Sequence, residues 1–164
     1  MAGAILNDIG PDVDRPGIDR IRSYVGKPIR FQDWEEAAAY IAGINNPLPA
    51  TFTKEDWVRF ARRLCREDGG AVVFDYDAAI VEAFDQPEPD EPFDMWPLFR
   101  NLAQKPLLVV RGEKSDLLSA ATAEAMRGAG DNIELVTVPG VGHAPLLDEP
   151  EAAEAIDRFL ERWV

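Results

Sequence analysis

A single histidine, His143, stands in this chain of 164 residues. It follows the apolar run Ile133-Glu-Leu-Val-Thr-Val138 and the turn Pro139-Gly-Val-Gly142. Asp116 follows a second run, Pro106-Leu-Leu-Val-Val-Arg-Gly112. Imidazole is the side chain that exchanges a proton near neutral pH, and a carboxylate on one ring nitrogen fixes which nitrogen carries the hydrogen. The two residues lie 27 positions apart, the length of one helix plus one strand, which would bring both to the same edge of a parallel sheet. Plainer readings stand beside this one. His143 could be a histidine at a helix entry, satisfied by backbone, and Asp116 a turn or capping residue ahead of a helix near Ser119. Glu113, in the same loop, and Asp8, after the first apolar run, are rival carboxylates.

Other reactive groups are sparse. None of Ser23, Ser115 or Ser119 sits in a Gly-x-Ser-x-Gly turn, the strand-to-helix elbow that exposes a nucleophilic hydroxyl. Ser115 shares the loop of Asp116, and Ser119 reads as a helix cap. The single Cys65 excludes an internal disulfide and a multi-cysteine metal site, and its place beside a helical apolar stripe marks a buried structural thiol. Gly140-Val-Gly-His-Ala-Pro145 is no dinucleotide fingerprint, because proline occupies the third glycine position. Asp75-Tyr-Asp77 and the acidic run 85–94 lack the spacing and glycine of a calcium loop and read as a solvated face. The expectation is of no metal and no cofactor. Trp34, Trp57 and Trp96 either line an apolar acyl or aryl pocket or serve ordinary packing.

Composition narrows the partners. A net charge of −13 opposes binding to nucleic acid or an anionic membrane, both of which need clustered Lys and Arg. A 46% hydrophobic content spread in short periodic runs describes a folded domain, not a disordered chain. No run approaches the roughly 20 residues needed to cross a bilayer, and no charged-then-apolar signal segment opens the sequence. A cytoplasmic location is therefore expected.

The elements that must position these residues follow from pattern. Ala4-Ile-Leu6 reads as a short buried strand running into Asn7-Asp-Ile-Gly-Pro11. Residues 15–103 read as almost entirely helical. Asp33 with Glu36 starts a helix over Trp34–Ile44, and Thr53-Lys-Glu-Asp56 is a capping-box variant ahead of Trp57, Phe60, Ala61 and Leu64. Gln86-Pro-Glu-Pro-Asp-Glu-Pro92 reads as an extended acidic loop, and Met95–Ala103 as a short helix. Then a strand at Leu107–Val110, a helix near Ser119–Arg127, a strand at Ile133–Val138 and a closing helix over Pro150–Trp163, capped by Asp148, alternate as in a parallel sheet with right-handed crossovers. The long insertion behaves as a cap over the C-terminal edge of the sheet, where open α/β sheets bind ligands.

Four segments together resemble the C-terminal half of α/β-hydrolases with a helical cap: Gly3-Ala-Ile-Leu-Asn-Asp-Ile-Gly-Pro11, Lys105-Pro-Leu-Leu-Val-Val-Arg-Gly-Glu-Lys-Ser-Asp116, Val138-Pro-Gly-Val-Gly-His-Ala-Pro145 and Asp148-Glu-Pro-Glu-Ala. The resemblance implies a partial α/β-hydrolase fold: a small parallel sheet of about three strands from residues 1–14 and 104–164, with residues 15–103 as the cap. It makes Asp116 the triad acid and His143 the general base, the last two members of a nucleophile–acid–histidine order. The elbow and the oxyanion loop are missing. The expectation is therefore a chain that begins late, or is completed by an upstream segment, and is inactive alone. Its function is expected to be that of an ester or lactone hydrolase with small apolar acyl substrates. The alternative is a non-catalytic module that self-associates through residues 4–7, pairs with an N-terminal fragment, or binds a small molecule in the cap.

Overall fold

The computed structural model describes residues 2–45, 52–83 and 93–163. The acidic loop expected over Gln86–Pro92 lies outside the described residues. The chain divides into two compact units, residues 1–19 with 89–164, and residues 20–88.

The first unit is built on a three-stranded sheet of order β1-β5-β6. β1 spans Ala4–Asn7, β5 Leu107–Gly112 and β6 Ile133–Val138. Both pairings are parallel, with Ala4 opposite Leu107 and Leu107 opposite Ile133. Every residue of β5 is buried, and Leu107, Leu108, Val109 and Val110 have no exposed surface. This is the signature of a central parallel strand covered on both faces. Alternate side chains leave on opposite faces. Leu107 and Val109 join Leu118, Ala123, Met126 and Phe99 in one cluster, so α5 (Ala120–Arg127) and α4 (Trp96–Leu102) supply part of that cover. α6 (Pro150–Trp163) packs on β5 and β6. Its buried residues are Ala152, Ala155 and Phe159, whereas Leu160 is 43% exposed. Burying one such aliphatic side chain is worth about 1.5–3 kcal/mol, so β5 anchors the unit.

Pro150 takes the first turn of α6, as expected. The residue that organises its entrance is not Asp148 but Glu149. The Glu149 carboxylate accepts from the backbone N–H of Leu146 and of Leu147, both at 2.9 Å, and the residue is only 7% exposed.

The second unit departs from the nearly all-helical expectation. α2 (Trp34–Ile44) and α3 (Lys54–Leu64) are present. Thr53 and Asp56 form the reciprocal capping box, which holds the Asp56 carboxyl below its ordinary range through hydrogen bonds from Thr53. These helices pack with an antiparallel sheet of order β2-β4-β3, made of Arg30–Phe31, Ala71–Phe74 and Cys65–Asp68. The hairpin turns on Gly69 and Gly70, at φ +57° and +79°. Two successive left-handed residues suit a two-residue hairpin, where glycine carries no steric penalty. Phe31, Ile41, Ala61, Cys65 and Val72 form the core of this unit. α1 (Arg15–Tyr24) runs across the division at residue 19. Residues 93–103, expected in the cap, belong to the sheet unit, where Phe99 and Ala103 are buried against Leu107.

Candidate active site

Parallel strands send their C-terminal ends to one edge, and the candidate residues gather there. β1 ends at Asn7, and the ladder continues one residue further as the Asp8 N–H donates to Val110 O at 2.7 Å. Asp8 then turns at φ +55°. Aspartate tolerates this left-handed region better than most residues, though still at a cost. The turn puts the side chain inside the protein, with no exposed surface. Its Oδ1 accepts from the Gly112 N–H at 2.9 Å, and its Oδ2 lies 2.9 Å from His143 Nδ1.

The carboxylate on His143 is therefore Asp8, the rival on the first strand, and not Asp116. Asp116 sits half-buried in the turn after β5, where its carbonyl accepts from the Gly17 N–H at 3.0 Å. The side chain on Nδ1 comes from β1 because β1 is hydrogen-bonded to β5 in register, one strand from β6, and Asp8 falls one residue past its end. Asn7 adds a second tie, donating from Nδ2 to Pro145 O at 2.9 Å. A carboxylate only accepts, so Nδ1 carries the hydrogen and Nε2 is left to accept a proton. The histidine side chain keeps 21% exposure against none for Asp8. This geometry holds and orients the imidazole.

Gly112 makes the contact possible. A side chain there would meet the Gly142 carbonyl and come within 2.7 Å of Val141 O, both backbone atoms. Only a bare Cα lets the turn leading to His143 pass so close, and the same residue supplies the N–H that holds Asp8. The turn is fastened further: Glu113 N–H donates to Val138 O at 2.9 Å, Lys114 N–H to Val141 O at 2.8 Å, and the Glu113 carboxylate accepts from Gly140 N–H at 2.7 Å. Glu113, the other rival acid, is thus committed to the backbone of the turn. Arg111, 7% exposed, donates to Leu118 O and Glu113 O at 2.9 and 3.2 Å, fixing the loop that bears Asp116. Gly112 has a signal in the sequence as the glycine that closes the apolar run after Pro106, and Glu113 stands out only as a carboxylate in the same loop.

The serine hydroxyls are used locally. Ser115 Oγ accepts from Leu117 and Leu118 N–H, Ser119 caps α5 through Thr122 N–H, and Ser23 donates to Arg20 O. Cys65 is buried at 6% exposure, and desolvation pushes its thiol above the ordinary range. Trp34 donates to Glu67 at 3.0 Å beneath the Arg62 guanidinium, and Trp57 stacks with Phe52 and Phe60. In the first unit, Trp96 donates to Asp12 at 2.7 Å and packs edge-on against Phe99. Among the described residues no group of three or more His, Cys, Asp or Glu side chains is placed to hold a metal ion, and no helix is long and apolar enough to cross a membrane.

Comparison with known proteins places this architecture. The sequence is 32% identical over 163 residues to a 3-hydroxybutyrate-oligomer hydrolase of Cupriavidus necator, covering 94% of this chain and 55% of that protein. It is 28% identical to a 2-(acetamidomethylene)succinate hydrolase of Mesorhizobium japonicum, covering 98% and 56%. The crystal structure of an alpha/beta hydrolase from Novosphingobium aromaticivorans superposes with a TM-score of 0.89 at 46% identity, over 99% of this chain and 57% of that one. The chain thus spans little more than half the length of these relatives. The profile of the alpha/beta hydrolase family matches residues 1–156, with a parallel β1-β5-β6 sheet beneath it, and the chain belongs to that family.

Proposed function

We propose that this chain carries the acid–base half of a hydrolase site for esters or lactones of small apolar acyl groups. Asp8 and His143 are the working pair, and the nucleophile is supplied from outside this sequence. The observation that carries the proposal is the 2.9 Å contact between His143 Nδ1 and the fully buried Asp8 carboxylate. In the reaction, Nε2 takes the proton of the attacking hydroxyl as its oxygen bonds the acyl carbon. The imidazolium, stabilised by Asp8, then returns the proton to the departing alkoxide. Water repeats the cycle and releases the acid. The names of the two curated relatives, hydrolases of a 3-hydroxybutyrate oligomer and of 2-(acetamidomethylene)succinate, support a carboxylic acid derivative as substrate.

With no nucleophile elbow in the sequence, the chain alone is expected to be silent. Removing the nucleophile alone costs about 10⁶-fold in a well-studied serine hydrolase, and losing the oxyanion donors as well costs more. The test is turnover of an activated ester by the lone chain, by the chain completed with a Gly-x-Ser-x-Gly segment, and by each with His143→Ala. Turnover only in the completed form, lost with His143→Ala, supports the reading. Strong His143-dependent turnover by the lone chain overturns the claim of an external nucleophile.

A second reading rests on the sheet order, which leaves β1 hydrogen-bonded on one side only among the described residues. An open strand edge is a template for pairing, and residues 4–7 would join a second copy or an N-terminal fragment. Light scattering that shows a clean monomer at high micromolar concentration counts against the self-associating form.

A further inference from the structure

We propose that the second unit holds a binding site for a small organic carboxylate with an apolar tail, anchored by Arg63. The described residues that line the pocket all fall within residues 20–88, and the proposal is independent of the Asp8–His143 reading. It has a volume of about 280 Å³, just below the range of roughly 300–1,000 Å³ typical of small-molecule sites. Leu64, Phe74, Val25 and Ile80 make its apolar walls.

Among the described residues the polar side chains at this pocket are Tyr24, Arg63, Asp75 and Tyr76. Arg63 lines it and, among the described residues, has no ion pair or hydrogen bond, unlike its neighbours Arg59 and Arg66, which meet Asp56 and Asp75. Tyr24 and Tyr76 also line it. Tyr76 Oη accepts from the Gly26 N–H at 2.9 Å, which leaves its own hydrogen to donate. The third tyrosine of the chain, Tyr40, is close enough to sense both others, and burial together with them pushes its hydroxyl above the ordinary range. All three phenols therefore collect at one place in a chain that has only three.

Among the described residues one acid, Asp75, lines the pocket, and its Oδ1 is paired with Arg66 Nε at 3.3 Å. A guanidinium without a partner among the described residues and two phenolic side chains beside an apolar wall match a planar anion with a hydrocarbon tail. A guanidinium fork binds a carboxylate through two parallel hydrogen bonds. A neutral or cationic ligand of the same length would leave Arg63 unmet.

The experiment titrates the full chain with hexanoate while backbone amide resonances are followed by NMR, with hexanol and hexylammonium as controls. The proposal expects saturable shifts confined to residues around Tyr24, Arg63 and Tyr76, and weaker or no response to both controls. Arg63→Gln should weaken hexanoate by at least about tenfold, the scale of a lost charge-assisted pair. Ile80→Asp should do the same. Ile80 is 51% exposed, so that variant keeps its fold and reads the site even if Arg63→Gln unfolds. Hexanol binding as tightly as hexanoate, shifts elsewhere, or hexanoate affinity unchanged in Arg63→Gln would each overturn it.

Discussion

Substitution of Asp8 separates its two tasks, holding a turn and setting the protonation of His143. Asp8→Asn keeps the shape. One amide oxygen can still accept from Gly112 N–H, but the NH₂ group now faces Nδ1 and can only donate. The imidazole must answer by moving its hydrogen to Nε2, so both hydrogen bonds survive and the stability loss should be about 1 kcal/mol. Asp8→Ala loses both partners and leaves the buried Gly112 N–H unmet, for about 1–3 kcal/mol. It keeps the β-carbon strain that Asp8 already carries at φ +55°, without the local polar contacts that ease it for aspartate. Asp8→Gly loses the same bonds without the strain, and should be more stable than Asp8→Ala by about 1 kcal/mol, less glycine's greater entropy in the unfolded chain. Chemical denaturation gives the ranking wild type, Asn, Gly, Ala. Because His143 is the only histidine, its ¹⁵N shifts read the tautomer without assignment ambiguity. They should show hydrogen on Nδ1 in the wild type and in Asp116→Asn, and on Nε2 in Asp8→Asn. A tautomer flipped by Asp116→Asn and untouched by Asp8→Asn would refute the pairing.

Gly112→Ala should destabilise by about 1–3 kcal/mol or more, since the new methyl meets backbone that cannot step aside, and the His143 ring signals should shift with it. Gly70→Val, at φ +79°, should cost about 1–2 kcal/mol in a thermal or denaturant melt by opposing the left-handed turn, whereas an Asn-Gly pair at 69–70 should be tolerated. Cys65 should react slowly with a thiol reagent in the native protein and rapidly once unfolded. Its raised thiol also sets a sign: the unfolded chain ionises first as pH rises through the ordinary thiol range, so stability falls there, and Cys65→Ser should flatten that slope.

The sheet was legible because its strands advertise themselves. Leu107–Val110 is an uninterrupted apolar run, and Ile133–Val138 sits between a glycine-marked helix end and Pro139-Gly-Val-Gly142. The choice of acid was harder. Two loops, after β1 and after β5, both reach the same sheet edge carrying an aspartate, and chain position alone ranks them by analogy. Which one points inward depends on a single left-handed residue at position 8 and on the bare Cα of Gly112, neither of which periodicity reports. The hairpin of the second unit was hidden for a different reason. Cys65-Arg-Glu-Asp68 is polar and follows α3 without a break, so it reads as more helix, although Gly69-Gly70 carried the turn signal. At α6, Asp148 satisfied the usual capping preference, but Glu149 is the side chain folded back onto the Leu146 and Leu147 amides.

The measurement that bears most directly on the central claim is ester turnover by this chain completed with a nucleophile-bearing segment, compared between Asp8→Asn and Asp116→Asn. The account predicts a loss of about 10⁴-fold for Asp8→Asn, the scale seen when a serine hydrolase loses the acid behind its histidine, with Asp116→Asn close to wild type. Near-normal turnover in Asp8→Asn with collapse in Asp116→Asn would contradict it.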